Sequence, residues 1–419
     1  MSGKVYTVAI LGCGNRGAEI YGTLFFQQSD RFRISALCDS NSAKLETYGE
    51  RFGVTALFQD EEEFFKQKRA DLLVIATMDR DHIRQSLLGL KLGYDVLLEK
   101  PITDKREELE ALLATQKQYG GKILVCHVLR YAPGYLKIAE YLDSGAIGRL
   151  VAIQAIEQVA YWHQAHSFVR GNWRSREETA PMILAKCCHD LDLLQYFAKS
   201  RCESVSSVGD LTYFNRENAP KQAAKRCVEC PLIDTCPYSA KKIYVDGWKR
   251  DKSPASDWPY NQLTTAYPIT EEALYKALET GEYGRCVYYC DNDVVDHQLS
   301  NFTFENGVKV SLTMTAFTAD CGRRIRFFGT LGELFFDEVR DMLIVKRYGQ
   351  EPETLKISEI IKTKFGHGGG EIGLMQSLYD MLEGKATSAT SLEGSVESHL
   401  MALCAEESRL AGGKLVKVH

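Results

Sequence analysis

The segment Leu97-Leu98-Glu99-Lys100-Pro101-Ile102-Thr103 puts a lysine just after a mostly apolar run of strand length, Tyr94–Leu98. A lysine at the end of such a strand can reach a bound ligand and hold negative charge developing on its oxygen. The proline that follows fixes the next backbone dihedral. A second polar cluster, Lys186-Cys187-Cys188-His189-Asp190-Leu191-Asp192, opens a helical stretch that continues through Leu193, Leu194 and Phe197. His189 and Asp192 are three residues apart and share a helix face, so the carboxylate is expected to orient the imidazole. A histidine so held works as a general base or acid near neutral pH. The competing reading of His189 is a buried capping residue.

These groups need a scaffold, and the N-terminal third supplies one. Val5–Leu11 is an apolar run that ends in Gly12-Cys13-Gly14-Asn15-Arg16-Gly17. Ala18–Phe26 has apolar residues at helical spacing. Phe32–Cys38 reads as a second strand and ends in Asp39, 22 residues after Gly17. Strand, glycine turn, helix, strand and acid form the dinucleotide fingerprint in its required context. Gly12 permits the tight turn, Gly14 lets backbone approach a pyrophosphate, and Gly17 lets helix pack on strand. The helix start, with Asn15 and Arg16, offers amides to phosphate. Asp39 and Ser40 fall beside the adenosine ribose. A carboxylate there favours NAD over NADP, because it repels a 2′-phosphate. Asp39 can also be read as a helix cap before Ser42. The alternation goes on through Ser42–Phe52, Ala56–Phe58, Asp71–Ala76, Asp81–Leu92, Tyr94–Leu98, Lys105–Tyr119 and Ile123–His127. It predicts a doubly wound parallel sheet over residues 1–127, with Lys100 at a strand's carboxyl end, where such sheets bind ligands.

Beyond His127 strands dominate: Leu150–Val159, Val294–Phe304, Val308–Phe317, Arg324–Phe328, Glu333–Phe336 and Met342–Arg347, with helices at Pro133–Ser144, Glu371–Leu382 and Ser391–Leu410. Residues 128–419 are therefore expected to form an α/β domain on a mainly antiparallel sheet. One face of that sheet is free for assembly into a homodimer or homotetramer. Trp162, His163, His166, Arg170 and Trp173 lie in one polar-aromatic stretch before His189. They suit the hydroxyls and apolar faces of a sugar, or else a subunit interface. His367, in the turn His367-Gly368-Gly369-Gly370, is expected to line the same cleft.

The 419 residues suffice for two domains, and a net charge of −5 with no basic block excludes nucleic acid as the main partner. No secretory leader and no membrane-length apolar run is visible, so a cytoplasmic protein is expected. Thirteen cysteines are then thiols or metal ligands. Cys227, Cys230 and Cys236, in an extra segment near 202–290, have half of a zinc pattern. Cys202, Cys286 or Cys290 could be the fourth ligand. The other reading is a set of buried reduced thiols.

Taken together, Gly12–Gly17, Val74-Ile75-Ala76-Thr77 with His82 after it, Glu99-Lys100-Pro101, His189 through Asp192, and Gly329-Thr330-Leu331-Gly332-Glu333 resemble the Gfo/Idh/MocA family of sugar and cyclitol oxidoreductases. The resemblance runs through nearly the whole chain. It implies a Rossmann domain followed by an α/β domain with an open sheet. It also implies NAD(P) at Gly12, Gly14, Gly17, Asp39, Thr77, His82 and Glu99, and a catalytic pair made of Lys100 and His189. Many members carry an aspartate four residues before the histidine. Here that position is Ala185, with Lys186 beside it as a substitute. That departure and the extra segment keep two alternatives in view. One is a glycosidase that uses NAD for transient oxidation and elimination; the other is a non-catalytic regulator that senses NAD or sugar.

Overall fold

The structure is a computed structural model and describes residues 4–251, 258–264, 268–361, 366–386 and 389–419. Six strands form the first sheet: β1 (Tyr6–Leu11), β2 (Phe32–Cys38), β3 (Leu57–Phe58), β4 (Leu72–Ile75), β5 (Asp95–Leu98) and β6 (Ile123–Val125). Their order is β3-β2-β1-β4-β5-β6, and every pairing is parallel. All four residues of β4 are buried, as expected of a strand covered on both faces. The order reverses at β1, and the glycine turn leaves β1 at this switch point.

Nine strands form the second sheet: β7 (Leu150–Gln158), β8 (Cys202–Asp210), β9 (His297–Phe304), β10 (Lys309–Thr315), β11 (Gly322–Gly329), β12 (Gly332–Asp337), β13 (Met342–Arg347), β14 (Glu353–Leu355) and β15 (Val416–Lys417). The order is β14-β13-β12-β11-β7-β10-β9-β8-β15, parallel between β7 and β10 and antiparallel elsewhere. Period-2 alternation splits the faces. Ile153, Ala155, Ile325, Phe327, Val310 and Leu312 point inward to the core. The opposite face carries a row of exposed and half-buried residues: Asn301, Ser311, Gln154, Arg326, Phe335 and Ile344.

Two features differ from the sequence expectation. Cys202–Asp210, read as part of the extra segment, is an interior strand of the second sheet, between β9 and β15. The segment after it is pinned by small cores of its own, one of them around Tyr244, Tyr260, Leu274 and Leu278. Secondly, the first sheet's core is not closed by residues 1–127. Leu374, Met375 and Leu378 of the helix Gly370–Leu382 pack with Val8, Ile10 and Val74. Among the described residues no helix is long and apolar enough to cross a membrane.

The glycine turn is held by close backbone packing. Gly12 has φ +93°, and a Cβ on Gly17 would overlap the Gly12 carbonyl oxygen. Gly17→Ala is therefore expected to destabilise by about 1–3 kcal/mol and to lower Tm by roughly 2–6 °C in a thermal melt. An unchanged Tm would show that the turn accommodates a side chain.

Candidate active site

The site sits where the carboxyl ends of β1, β2, β5 and β6 meet the second domain. At the glycine turn, a Cβ on Gly14 would meet no atom within 4 Å, so this backbone faces open space. Asp39 ends β2 with its carboxylate turned to the turn, where Oδ2 accepts from the Cys13 N–H at 2.7 Å. Asp39 does not cap the next helix; Asn41 does, accepting from the Lys44 N–H. Ser40 is exposed nearby, and its carbonyl accepts from Gln59. Asn15 begins the helical turn that follows Gly14. These groups fit a dinucleotide: open backbone for the pyrophosphate and a carboxylate for ribose hydroxyls.

Arg16 is not free to meet a phosphate. Its Nε bonds Glu99 Oε1 at 2.8 Å and its Nη1 bonds Glu371 Oε1 at 3.0 Å. Glu99 thus faces the glycine turn rather than the cleft, and Glu371 in turn holds His367 Nδ1 at 2.7 Å. Burial works against both carboxylates, but Arg16 outweighs it at Glu99, and His367 followed by Arg16 outweighs it at Glu371. Glu99 is held below the usual range and Glu371 is pushed down to about 2.

Lys100 leaves β5 and reaches across the cleft, where its Nζ donates to the Ala185 carbonyl at 3.4 Å. His82 supports the turn from below: its Nδ1 contacts the Pro101 carbonyl at 2.7 Å. Thr77 Oγ1 pairs with Gln85 at 2.6 Å, at the end of β4. Asp79 beside them is raised by burial, with His82 and Lys100 opposing, and accepts from Trp173 Nε1 at 3.1 Å.

His189 lies in the first turn of the helix Cys188–Ala198, buried, with its ring against His127 at 5.9 Å and His367 at 5.8 Å. Burial, with Lys100 the main charge acting on it, drives its pKa well below 6.5. It is therefore a neutral imidazole at pH 7, able to take a proton. Asp192 does not orient it. The carboxylate is taken by Arg130 in a buried two-pronged pair, 2.6 Å from Nε and 2.8 Å from Nη2. The guanidinium's two parallel donors hold it more strongly than one imidazole could.

Lys186 also has a partner: its Nζ is 3.1 Å from Glu157 on β7. Glu157 lies opposite Arg323 across the β7–β11 ladder, and Arg323 Nε is 3.2 Å from Glu157 and 2.8 Å from Asp190. Two cations and two carboxylates balance. Burial lifts Asp190 to about 6, whereas Arg323 and Lys186 overcome burial at Glu157 and hold it low. Glu157 and Arg323 were not singled out from the sequence. Their signal is a charge on the inward phase of an alternating strand.

The stretch 161–174 divides. His163 and Trp162 stack at 5.5 Å beside Cys321, whose Sγ is 3.8 Å from His163 Nδ1. Lys186 and Lys100 act on His163 electrostatically, so it borders the cleft. His166 and Arg170, expected on the substrate, are instead buried in the extra segment. His166 bonds the Tyr244 hydroxyl at 3.0 Å and stacks on Tyr283. Arg170 is 0% exposed and donates to the Arg285 and Tyr238 carbonyls at 2.7 Å. Cys227, Cys230 and Cys236, read either as half of a zinc pattern or as buried thiols, do not make a ligand set. Among the described residues no three His, Cys, Asp or Glu side chains are placed to hold an ion. Arg170 Nη2 is 3.6 Å from Cys227 Sγ, and a fixed cation there opposes a second one.

Comparison with known proteins agrees with this architecture. Residues 6–127 match the oxidoreductase family with an NAD-binding Rossmann fold, and residues 135–226 match the Gfo/Idh/MocA C-terminal domain. YteT of Bacillus subtilis (strain 168), an oxidoreductase by name, is 23% identical over 390 residues, 87% of this chain and 88% of that protein. An inositol 2-dehydrogenase of Rubrobacter xylanophilus is 25% identical over 202 residues, 47% of this chain and 54% of that protein. The crystal structure of an Agrobacterium radiobacter oxidoreductase with NAD+, L-tartaric acid and magnesium shares the fold, with TM-score 0.71, 14% identity and 99% of both chains covered. The fold and the glycine turn define an NAD-dependent oxidoreductase. The chain belongs to the Gfo/Idh/MocA family.

The buried histidines have a consequence for acid stability. Burial lowers His127, His166 and His399 to about 3 each. In the unfolded chain they titrate near 6.5, so below that pH the unfolded state binds more protons than the native one. Stability should be full above about pH 6.5. It should fall with decreasing pH by up to about 1.4 kcal/mol per unit for each histidine until about pH 3. Denaturant midpoints at pH 7, 6 and 5 check this; a flat profile over that range would contradict the neutral burial of these rings.

Proposed function

We propose that this enzyme oxidises a ring hydroxyl of a sugar, cyclitol or sugar derivative to the ketone. The observation that carries the reading is Lys100 at the carboxyl end of β5 with its Nζ on the carbonyl of Ala185, four residues before His189 in the first turn of the helix Cys188–Ala198. The inositol 2-dehydrogenase relative supports the substrate class. NAD, when bound, supplies the hydride acceptor. The glycine-turn backbone at Gly12, Gly14 and Gly17 and the carboxylate of Asp39 would hold it. Lys100 lowers the cost of negative charge on the carbinol oxygen, and His189 Nε2 takes the hydroxyl proton. Trp162 and His163 give an aromatic wall for the C–H face of a sugar. Lys186 is a positioning residue, tied through Glu157 to Arg323. His82 and Thr77 brace the backbone around Lys100, and Trp173 fixes Asp79 beside it.

The free face of the second sheet, with Phe335 and Ile344 among polar residues, suits pairing with a second copy in a homodimer or homotetramer. Thirteen free thiols suit a reducing cytoplasm.

The test is redox balance. Across a panel of free sugars, cyclitols and glycosides, net NADH should accumulate with the true substrate. Lys100→Met should lower kcat by about 10²–10⁴-fold while NAD still binds. Glycoside cleavage without net NADH, or near-normal kcat in Lys100→Met, would overturn the assignment. Cofactor choice is read separately. Titration should show NAD bound more tightly than NADP, and Asp39→Ala should lose about tenfold or more of that preference. Equal affinities in the native enzyme would remove Asp39 from the ribose site.

A further inference from the structure

We propose that His127 is a positioning residue for His189: it accepts the hydrogen bond of the His189 Nδ1–H, relayed by one water between the rings, and so keeps the Nε2 lone pair turned to the carbinol proton. The inference rests on His189 being the base.

His127 follows β6, and the Cys126 N–H bonds the Leu98 carbonyl at 2.9 Å, so His127 and Lys100 leave adjacent strand ends. Its ring is 0% exposed and stands nearly perpendicular to His189, at 83° and 5.9 Å between centroids. Rings at that centroid spacing are adjacent with no direct hydrogen bond between them, a gap that one water can bridge. Among the described residues His127 Nδ1, His127 Nε2 and His189 Nδ1 have no hydrogen-bond partner. Three unpaired nitrogens on two adjacent buried rings are costly. A phenylalanine would fill the His127 position without that cost.

The neighbours decide which nitrogens carry protons. His399 packs on the far side of His127 at 5.9 Å, but both its nitrogens are engaged. Its Nε2 accepts from the Ile102 N–H at 2.8 Å, so its Nδ1–H donates to the Ser395 carbonyl at 2.8 Å. Asp192 Oδ1 is 3.9 Å from His127 Nε2 and attracts the proton there, leaving Nδ1 as an acceptor. For His189 to take a proton at Nε2, its own proton must sit on Nδ1, a donor in need of an acceptor. His367, the other ring against His189, has its Nδ1 committed to Glu371, and its side chain is 46% exposed, so solvent can satisfy its Nε2 as it cannot the nitrogens of His127. The order Asp192, His127, His189, substrate follows. NAD, when bound, would accept the carbinol hydride, and His189 Nε2 would take the O–H proton. The imidazolium so formed keeps its Nδ1–H directed toward His127.

The charges around the pair keep both rings neutral beforehand. Burial, then Arg130 and Lys100, outweigh Glu99 at His127. At His189 burial is joined by Lys100, His367, His127 and Arg323. His127 is thus a hydrogen-bond acceptor in this arrangement and not a proton store.

His127→Phe keeps the ring and removes both nitrogens. It should lower kcat about 10–100-fold, with substrate KM within about twofold. The acid limb of the kcat–pH profile should move to lower pH, because the His189 imidazolium loses its acceptor. Tm without cofactor should hold or rise. Nitrogen-15 spectra of labelled histidines should show His189 protonated at Nδ1 in the native protein and shifted toward the Nε2–H tautomer in the variant. His127→Gln, which retains an acceptor, should restore kcat to within about threefold and return the acid limb to its native pH. A folded His127→Phe with native kcat and pH profile overturns the proposal, as does a folded His127→Gln as slow as the phenylalanine variant. If His127→Phe does not fold, His127→Gln and the native tautomer decide alone. His189→Ala separates the two levels. If it keeps turnover, the base assignment itself falls. If it is inactive while His127→Phe is native, only the role of His127 falls.

Discussion

One half-buried guanidinium ties three parts of this enzyme together through two buried carboxylates. Arg16 belongs to the turn that faces the cofactor, Glu99 precedes the lysine of the cleft, and Glu371 begins the helix that completes the first core. Tyr21 closes the group, with its hydroxyl donating to Glu99 at 2.7 Å. Each partner comes from a different stretch of chain. Removing one partner of such a buried pair leaves the other charge uncompensated, at a cost of about 3–5 kcal/mol. The glycine turn, the carboxyl end of β5 and the His367 turn are therefore fixed relative to one another by electrostatics as well as by packing.

The cleft is built around the same tension between burial and charge, settled in two ways. Lys186, Glu157, Arg323 and Asp190 neutralise one another in pairs, as do Arg130 and Asp192. The imidazoles instead stay uncharged, because desolvation outweighs the carboxylates near them. Among the described residues Lys100 hydrogen-bonds through its Nζ to a carbonyl oxygen, that of Ala185. Backbone rather than a carboxylate thus supplies the lysine's partner, leaving its charge unspent for an oxygen anion.

Much of this was legible in the chain. The first sheet's strands and helices fall within a few residues of their expected bounds, because glycine, acid and apolar runs repeat at βα spacing. Lys100 follows a strand end and His189 opens a helix, as the apolar runs before and after them indicate. What failed was partner choice. Asp192 shares a helix face with His189 on paper, but Arg130, 62 residues upstream, offers it two donors. His166 and Arg170 look like recognition residues by type, yet the extra segment folds over them. Cys202–Asp210 escaped notice because its alternation is carried by serine, valine and glycine, with little apolar weight. His127 was seen only as a strand terminus; nothing in its local sequence shows the ring it meets.

The helix Gly370–Leu382 reaches back from near the carboxyl terminus to finish the core that the first 127 residues begin. On the ribosome this sets an order of events. The dinucleotide sheet emerges first but keeps one face bare while some 250 further residues are made, an interval of roughly 10–50 s at ordinary elongation rates. A nascent chain that has not yet made this helix would offer the apolar face around Val8, Ile10 and Val74 to chaperones and proteases.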